Sequence, residues 1–382
     1  MNRAVVVGGG VVGASAAFHL ARAGVETIMV DRKDPGHATF AGAGIISPGT
    51  STRPLPAFFP FAQVAVAHYP ALIAALAEIG QTDTRYEVVG ELILAMDDDE
   101  LANLLDLRAL YAERRAGGMP NLGAVSEVDN ATAKQMFPAL ADIHGALYVP
   151  EAARVDGDCL RNALVAGARA HGAEVRYGGA SIKVERERVV GIELDREVIA
   201  ADGVVIATGA WTNALLSPLG FAVAVEPQRG QILHIELGDV DTSRWPILGG
   251  TGDQYMLTFG PNRIVSGATR ETGSGFDVRL TVEGMQSVFN HAMRVAPGVG
   301  SGTVREIRIG LRPLSADGLP YLGMVPGHVN LVLATGHGPS GLQLGPYSGL
   351  VAAQLLTGNE VEADVAPFAV DRDPVANSYV GH

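Results

Sequence analysis

Gly8, Gly10 and Gly13 fall at G-x-G-x-x-G spacing within Gly8-Gly9-Gly10-Val11-Val12-Gly13, and Asp31 follows 18 residues after Gly13. Backbone amides at such a turn can cradle a pyrophosphate, and a carboxylate about 20 residues further on can accept a ribose 2′-hydroxyl. The plainer reading is a glycine-rich βα turn with Asp31 as a solvated strand end, and the spacing does not say which dinucleotide would bind. Arg312 stands in the apolar stretch Gly310-Leu311-Arg312-Pro313-Leu314, where a guanidinium can grip a carboxylate bidentately or close a buried structural ion pair. His337, in the loop Thr335-Gly336-His337-Gly338-Pro339-Ser340-Gly341, has no neighbouring nucleophile and reads as a structural or capping histidine. No H-E-x-x-H, C-x-x-C, G-x-S-x-G or P-loop pattern occurs, so no metal site is expected and hydrolysis is disfavoured.

These residues need elements to position them. Arg3 to Val7 reads as a buried strand, Ala14 to Ala23 as a helix, and Glu26 to Val30 as a second strand ending at Asp31. Ala38 to Pro48 is small, glycine-rich and nearly uncharged, so its backbone can lie against a flat ring or form a plain surface loop. Asp156 or Asp158 is placed to cap a helix through about Ala170, with Gly172 ending it and Glu174 to Tyr177 following as a strand. Gly203 to Trp211 reads as a buried strand closing in a glycine turn, the end that faces a ligand crevice in open α/β sheets. Late in the chain a strand over Asn330 to Ala334 leads through the His337 loop into an apolar helix, Leu342 to Leu356, whose amides can stabilise negative charge.

Between these pieces the texture changes to strands at Glu91 to Met96, Gln231 to Ile235, Gln254 to Phe259 and Arg263 to Ala268, with a helix over Glu100 to Arg115. The fold class expected is α/β, a Rossmann-type nucleotide-binding domain with an inserted mixed, largely antiparallel β-sheet domain. At 382 residues the chain holds about two to three domains at roughly 150 residues each. With 28 basic against 41 acidic residues and a net charge of -13, nucleic acid and anionic lipid are excluded as expected partners. Composition (47% hydrophobic, 18% charged) suits a globular chain, and no integral membrane segment is expected. Arg3, the uncharged run to Ala21 and Ala14-Ser15-Ala16 imitate a secretory signal, but four glycines and His19 interrupt its would-be apolar helix. The single cysteine, Cys159, can form no internal disulfide and suits a reducing, cytoplasmic compartment.

Together these motifs resemble the D-amino-acid oxidase superfamily of FAD-dependent amine oxidoreductases, and within it the glycine oxidase, monomeric sarcosine oxidase and D-amino-acid dehydrogenase branch. The resemblance runs nearly end to end and rests on Gly8 to Gly13 with Asp31, Ala38 to Pro48, Ala207 to Trp211, Pro227-Gln228-Arg229-Gly230-Gln231, Gly267-Ala268-Thr269-Arg270-Glu271, Gly310 to Gly323 and Ala334 to Gly349. It implies an FAD-binding domain from residues 1–84, 150–213 and 310–382, and a substrate-binding domain from 85–149 and 214–309. Cofactor contacts are implied at Gly8, Gly10, Val11, Val12, Gly13, Asp31 and Arg32 for the ADP half, at Thr39, Gly44 and Ile45 along the flavin, and at Gly209 and Trp211. Gly336, Gly338, Gly341, Leu342 and Gln343 are implied toward the pyrimidine end.

Arg312 takes the place of the arginine that binds the substrate carboxylate, and Tyr255 that of a pocket tyrosine. Gly310 stands where monomeric sarcosine oxidase carries the cysteine tied to its flavin, so noncovalent FAD is expected. Pro339 replaces the arginine of the glycine oxidase G-H-x-R-x-G pattern, which argues against glycine as the natural substrate. The activity implied is oxidative deamination of a small amino acid, foremost a D-amino acid, by hydride transfer from Cα to flavin N5, giving an imine and then a 2-oxo acid. An N-methyl or cyclic amino-acid substrate of the sarcosine, glycine or D-proline kind, a noncatalytic flavoprotein subunit and a nicotinamide dehydrogenase are the alternatives. The lysines, Lys33, Lys134 and Lys183, all fall outside the late motifs, which leaves oxygen and a quinone-type carrier both open as electron acceptor.

Overall fold

The computed structural model describes residues 1–374 apart from 251 and 253. The first strand (β1, Arg3–Val7) and the second (β2, Glu26–Asp31) are neighbours inside a six-stranded sheet. Its order is Tyr321–Met324, Leu331–Thr335, Gly203–Ile206, β1, β2, Glu174–Tyr177, parallel throughout except for Tyr321–Met324. Val5, Val6, Val204 and Val205 are wholly buried, because both faces of the sheet are covered. Helices Val11–Arg22 (α1), Gly157–Ala170 and Gly341–Thr357 cover one face, and the antiparallel meander Ala180–Glu185, Arg188–Leu194, Glu197–Ala200 covers the other.

A second sheet has eight strands in the order Thr303–Ser315, Val225–Glu236, Arg263–Gly267, Tyr255–Phe259, Ile247–Gly249, Glu91–Ala95, Gly145–Val149, Ser126–Val128. Every neighbour pair is antiparallel except Ile247–Gly249 with Glu91–Ala95. Alternation sorts its faces. Leu92, Leu94, Leu248, Met256 and Ile264 pack on helix Val282–Val295, while Ile93, Ile232, Leu257 and Val265 point the other way. The fold class is therefore the expected one: a Rossmann-type layer beside a largely antiparallel sheet.

Element boundaries moved where capping is tertiary. The first helix begins at Val11 rather than Ala14, since Gly10 brings no side-chain cap and the Thr39 hydroxyl, 28 residues on, accepts the Val11 amide at 3.0 Å. Asp156, not Asp158, caps Gly157–Ala170, accepting from the amides of Asp158 and Cys159. Residues 310–315, expected with the nucleotide-binding parts, continue the long strand Thr303–Ser315 of the eight-stranded sheet. Within Phe58–Glu78 an 18-residue window has a mean hydropathy of 1.4, a longer apolar run than expected. These residues fold as two helices, Phe58–Ala67 and Tyr69–Glu78, whose Phe58, Phe61, Tyr69, Leu72 and Leu76 are buried in the core that includes helix Gly341–Thr357.

Candidate active site

A cleft of about 830 Å³ runs from the carboxyl ends of β1 and β2 to one face of the eight-stranded sheet. At its nucleotide end the chain passes from β1 into α1 through a backbone that only glycine permits. Gly8 has φ +111°, and a β-carbon on it would lie 2.3 Å from the Ala207 carbonyl oxygen. A β-carbon on Gly13 would lie 1.9 Å from the Gly8 oxygen, so this glycine sets the close crossing of helix on strand. Asp31 closes this end beside Gly9, with Arg161 at 3.5 Å and the Lys33 amide donating to it at 3.0 Å.

The loop after β2 supplies the middle of the cleft. Gly44, with φ +86°, brings its Cα against the Val155 carbonyl, and Thr39, Gly44 and Ile45 face the cavity. Helix Gly341–Thr357 opens on the same space, so two helix N-termini, at Val11 and Gly341, aim their amides into one cleft. Arg53 Nη1 donates to Ser340 Oγ at the second of these. His337 Nε2 pairs with Ser348 Oγ at 2.9 Å. Burial lowers its pKa to about 4, so the ring is neutral near pH 7, and it lines the cleft.

The substrate end is built from one face of the eight-stranded sheet. Arg312 pairs across the ladder with Gln228, and its Nη1 donates to the Thr269 carbonyl at 2.9 Å. Its guanidinium lies over Gly230, where a β-carbon would come within 2.4 Å of Nη1 and 2.7 Å of Cζ. Tyr255 opens the strand three places away from that of Arg312 in the sheet. Burial raises the pKa of its hydroxyl, opposed by the charge of Arg312, by that of Arg270 and by a hydrogen bond from Arg312. Two strands further, Glu91 is buried against Thr50 Oγ1, which donates to it at 3.0 Å. Burial raises the Glu91 pKa to about 7, opposed by hydrogen bonds from Ser47 and Thr50.

Arg312, Tyr255, Gly8, Gly10, Val11, Val12, Asp31, Arg32, Thr39, Gly44, Ile45, Gly209, Trp211, Gly338, Gly341, Leu342 and Gln343 all line this cleft. Gly13 and Gly336 do not: Gly13 packs helix on strand, and Gly336, with φ +78°, turns against the Tyr321 ring. Sequence reasoning assigned no role to Gly230, Glu91, Arg53 or Arg270, which also line it. Gly230 and Arg270 sat inside quoted motifs, whereas nothing local distinguishes Glu91 or Arg53. Among the described residues no cluster of His, Cys, Asp and Glu could hold a metal ion.

The cavity, its floor of backbone and its two helix N-termini fit a flavin dinucleotide, whose pyrophosphate needs the first and whose ring needs a broad apolar slot. The comparisons agree. Residues 3–355 match the FAD dependent oxidoreductase family known as DAO. The uncharacterized oxidoreductase YurR of Bacillus subtilis is 38% identical over 96% of this chain and 98% of its own length. Glycine oxidase of Pseudomonas putida is 32% identical, again over 96% and 98%. The crystal structure of iminodiacetate oxidase (IdaA) from Chelativorans sp. BNC1 superposes with a TM-score of 0.92 at 36% identity, covering 96% of this chain and 99% of that one. With the glycine turn, the flavin-sized cleft and these likenesses together, this chain belongs to the DAO family of FAD-dependent oxidoreductases.

Proposed function

We propose that this protein oxidises the Cα–N bond of a small amino acid whose carboxylate is held by Arg312. The observation that carries the reading is Arg312 itself: a guanidinium seated over Gly230, donating to the Thr269 carbonyl and facing a flavin-sized cleft. Bound FAD supplies the two-electron acceptor for the oxidation. We propose that it is held noncovalently by Gly8 to Gly13, Asp31, Thr39 to Ile45 and the start of helix Gly341–Thr357. Gly310 offers no thiol, and Cys159 does not line the cleft. Residues 1–84, 150–213 and 316–374 would carry the cofactor, and 85–149 with 214–315 the substrate.

Arg312 fixes the carboxylate as a charge-assisted fork, which also fixes the direction of the Cα–H bond. Tyr255, its hydroxyl kept neutral by burial, orients the bound acid by hydrogen bonding. The amine must lose its proton before it can give up electrons. A cleft lined by arginines favours that neutral form without a dedicated base. The helix start at Gly341 stabilises negative charge arising at its end of the cleft.

A D-amino acid is the substrate class that the sequence motifs favour. An N-substituted glycine is the second reading, favoured by the 36% identity to a protein titled iminodiacetate oxidase. Either substrate would leave as an imine, hydrolysed to a 2-oxo acid, with oxygen or a quinone-type carrier as final acceptor. Anaerobic titration of the yellow holoenzyme with D-amino acids, glycine, sarcosine and D-proline tests the proposal, since bleaching by at least one is required. Readmitted air then separates oxidase from dehydrogenase by the rate at which the colour returns.

A further inference from the structure

Glu91 takes part in no step of the function proposed above, yet it is built into the cleft. It is 5% exposed, and among the described residues it is the one carboxylate lining the cleft away from Asp31 and Asp34 at the nucleotide end. Its carboxyl lies over Gly249, where a β-carbon would come within 2.7 Å of Oε1, just as the Arg312 guanidinium lies over Gly230. The other oxygen, Oε2, accepts from Thr50 Oγ1 at 3.0 Å, and Ser47 supplies a second hydroxyl. No basic side chain among the described residues acts on it. Tyr111, the ionisable group beside it, is kept neutral by burial. A carboxylate buried without a cation is costly, and a ligand that brings one removes that cost. With burial raising the Glu91 pKa to about 7, a cation within reach is enough to hold the group ionised near neutral pH.

The Glu91 carboxyl and the Arg312 guanidinium flank Tyr255. Glu91 and Tyr255, each two residues before Ile93 and Leu257, share the cleft face of the sheet. Leu248 pairs with Met256 in an antiparallel ladder, so Gly249 stands opposite Tyr255, and the Glu91 carboxyl lies at the root of that side chain. Arg312 hydrogen-bonds the hydroxyl at its tip. The strands of Gly230 and Gly249 are three places apart in the sheet, on the order of 14 Å at about 4.8 Å per strand. A hydrogen bond of about 2.9 Å at either end leaves roughly 8 Å for the ligand between them. The α-nitrogen of an amino acid lies two bonds from its carboxylate carbon and cannot cross such a gap. A side-chain ammonium of lysine length can.

Resting on the function proposed above, we infer that the substrate is a basic amino acid, with its α-carboxylate on Arg312 and its side-chain ammonium on Glu91. Glu91 is then a specificity residue that reads the far end of the substrate while Arg312 reads the near end. A neutral side chain of the same length leaves the buried carboxylate unpaired and is rejected for that reason.

The test compares lysine with 2-aminoheptanoate, which match atom for atom except that a methyl group replaces the side-chain ammonium. Each enantiomer is measured separately, so that stereochemistry does not enter the comparison. Anaerobic reduction of the holoenzyme is expected to favour lysine by about 30- to 100-fold in kcat/KM, the scale of one charge-assisted hydrogen bond in a buried site. Glu91→Gln keeps the shape of the side chain and removes its charge, and is expected to bring the two substrates within about threefold of each other. Calorimetry adds a readout without turnover. 6-Aminohexanoate, which has the carboxylate and the distal ammonium but no α-amine, is expected to bind wild type about 10- to 100-fold more tightly than heptanoate and to lose that advantage in Glu91→Gln.

Equal efficiency for lysine and 2-aminoheptanoate in wild type, or the same loss for both in Glu91→Gln, overturns the inference while leaving the function intact. Bleaching by neither these two nor any other amino acid overturns the function and the inference together. Should Glu91→Gln fail to retain FAD, the two wild-type preferences, for lysine in reduction and for 6-aminohexanoate in binding, decide the matter alone.

Discussion

Gly230→Ala isolates the seating of Arg312 from the rest of the fold. A β-carbon at this position would stand 2.4 Å from Arg312 Nη1, 2.6 Å from Nη2 and 2.7 Å from Cζ, and it would touch nothing else so closely. Ordinary contact begins near 3.4 Å, so the guanidinium must withdraw by about 1 Å (3.4 less 2.4). What moves is the far end of a flexible side chain, not backbone, and Gly230 is in extended strand geometry that alanine also adopts. The folding cost should therefore stay below about 1 kcal/mol. Catalysis has no such tolerance, because a displacement of about 1 Å in a positioning group costs on the order of 100-fold, or roughly 2.7 kcal/mol of transition-state binding. Thermal melts of the holoenzyme and anaerobic single-turnover bleaching with the best amino-acid substrate measure the two effects side by side. Near-wild-type melting with a 30- to 300-fold loss of bleaching efficiency, a range about that estimate, is the expected outcome. Unaltered bleaching at full stability would refute the claim that Arg312 acts from its seat on Gly230.

Gly13→Ala should be severe for stability and cofactor together, because its β-carbon would meet the Gly8 carbonyl at 1.9 Å. A loss of about 3 kcal/mol or more and failure to retain the yellow colour are expected by denaturant titration and absorbance. Thr39→Val removes the hydroxyl that accepts the Val11 amide; a loss of about 1 kcal/mol, with weaker FAD retention on dilution, is the size of a helix N-cap. Glu91→Gln should flatten the pH dependence of stability. Because burial raises the Glu91 pKa from 4.5 to about 7, its contribution is present below pH 4.5 and lost as pH climbs through 7. Wild type should lose roughly 3 kcal/mol relative to Glu91→Gln across that window, and parallel stability curves for the two would contradict the burial account.

Much of this architecture was legible because its signals are local. The G-x-G-x-x-G turn, the apolar run of β1 and the acid at the end of β2 lie within about 30 residues, and steric demands at Gly8 and Gly13 are written as glycine itself. The Asp156 cap and the helix after the His337 loop were likewise readable from residues within a turn of the boundary. What escaped depends on contacts between distant segments. Glu91 is an ordinary strand residue until Thr50, from a loop 41 positions earlier, buries it. Gly230 matters only because the strand carrying Arg312 pairs beside it, some 80 residues later in the chain. The expected boundary at 310 followed the edge of a recognised motif, whereas the strand Thr303–Ser315 runs through it because its ladder with Val225–Glu236 is continuous across that point. Phe58–Glu78, where no membrane span was expected, is long and apolar enough for one by composition, and packing places Phe58, Phe61, Tyr69, Leu72 and Leu76 in the core.

The central claim is that Arg312 holds the carboxylate of an amino acid beside a noncovalently bound FAD. Anaerobic spectra of wild type and Arg312→Leu, both purified with FAD, test it most directly. Bleaching of the wild type by an amino acid, with a loss of at least about 100-fold in Arg312→Leu and no loss of bound FAD, is the result this account predicts. Equal bleaching of the two proteins, or a wild type that takes up no FAD, would contradict it.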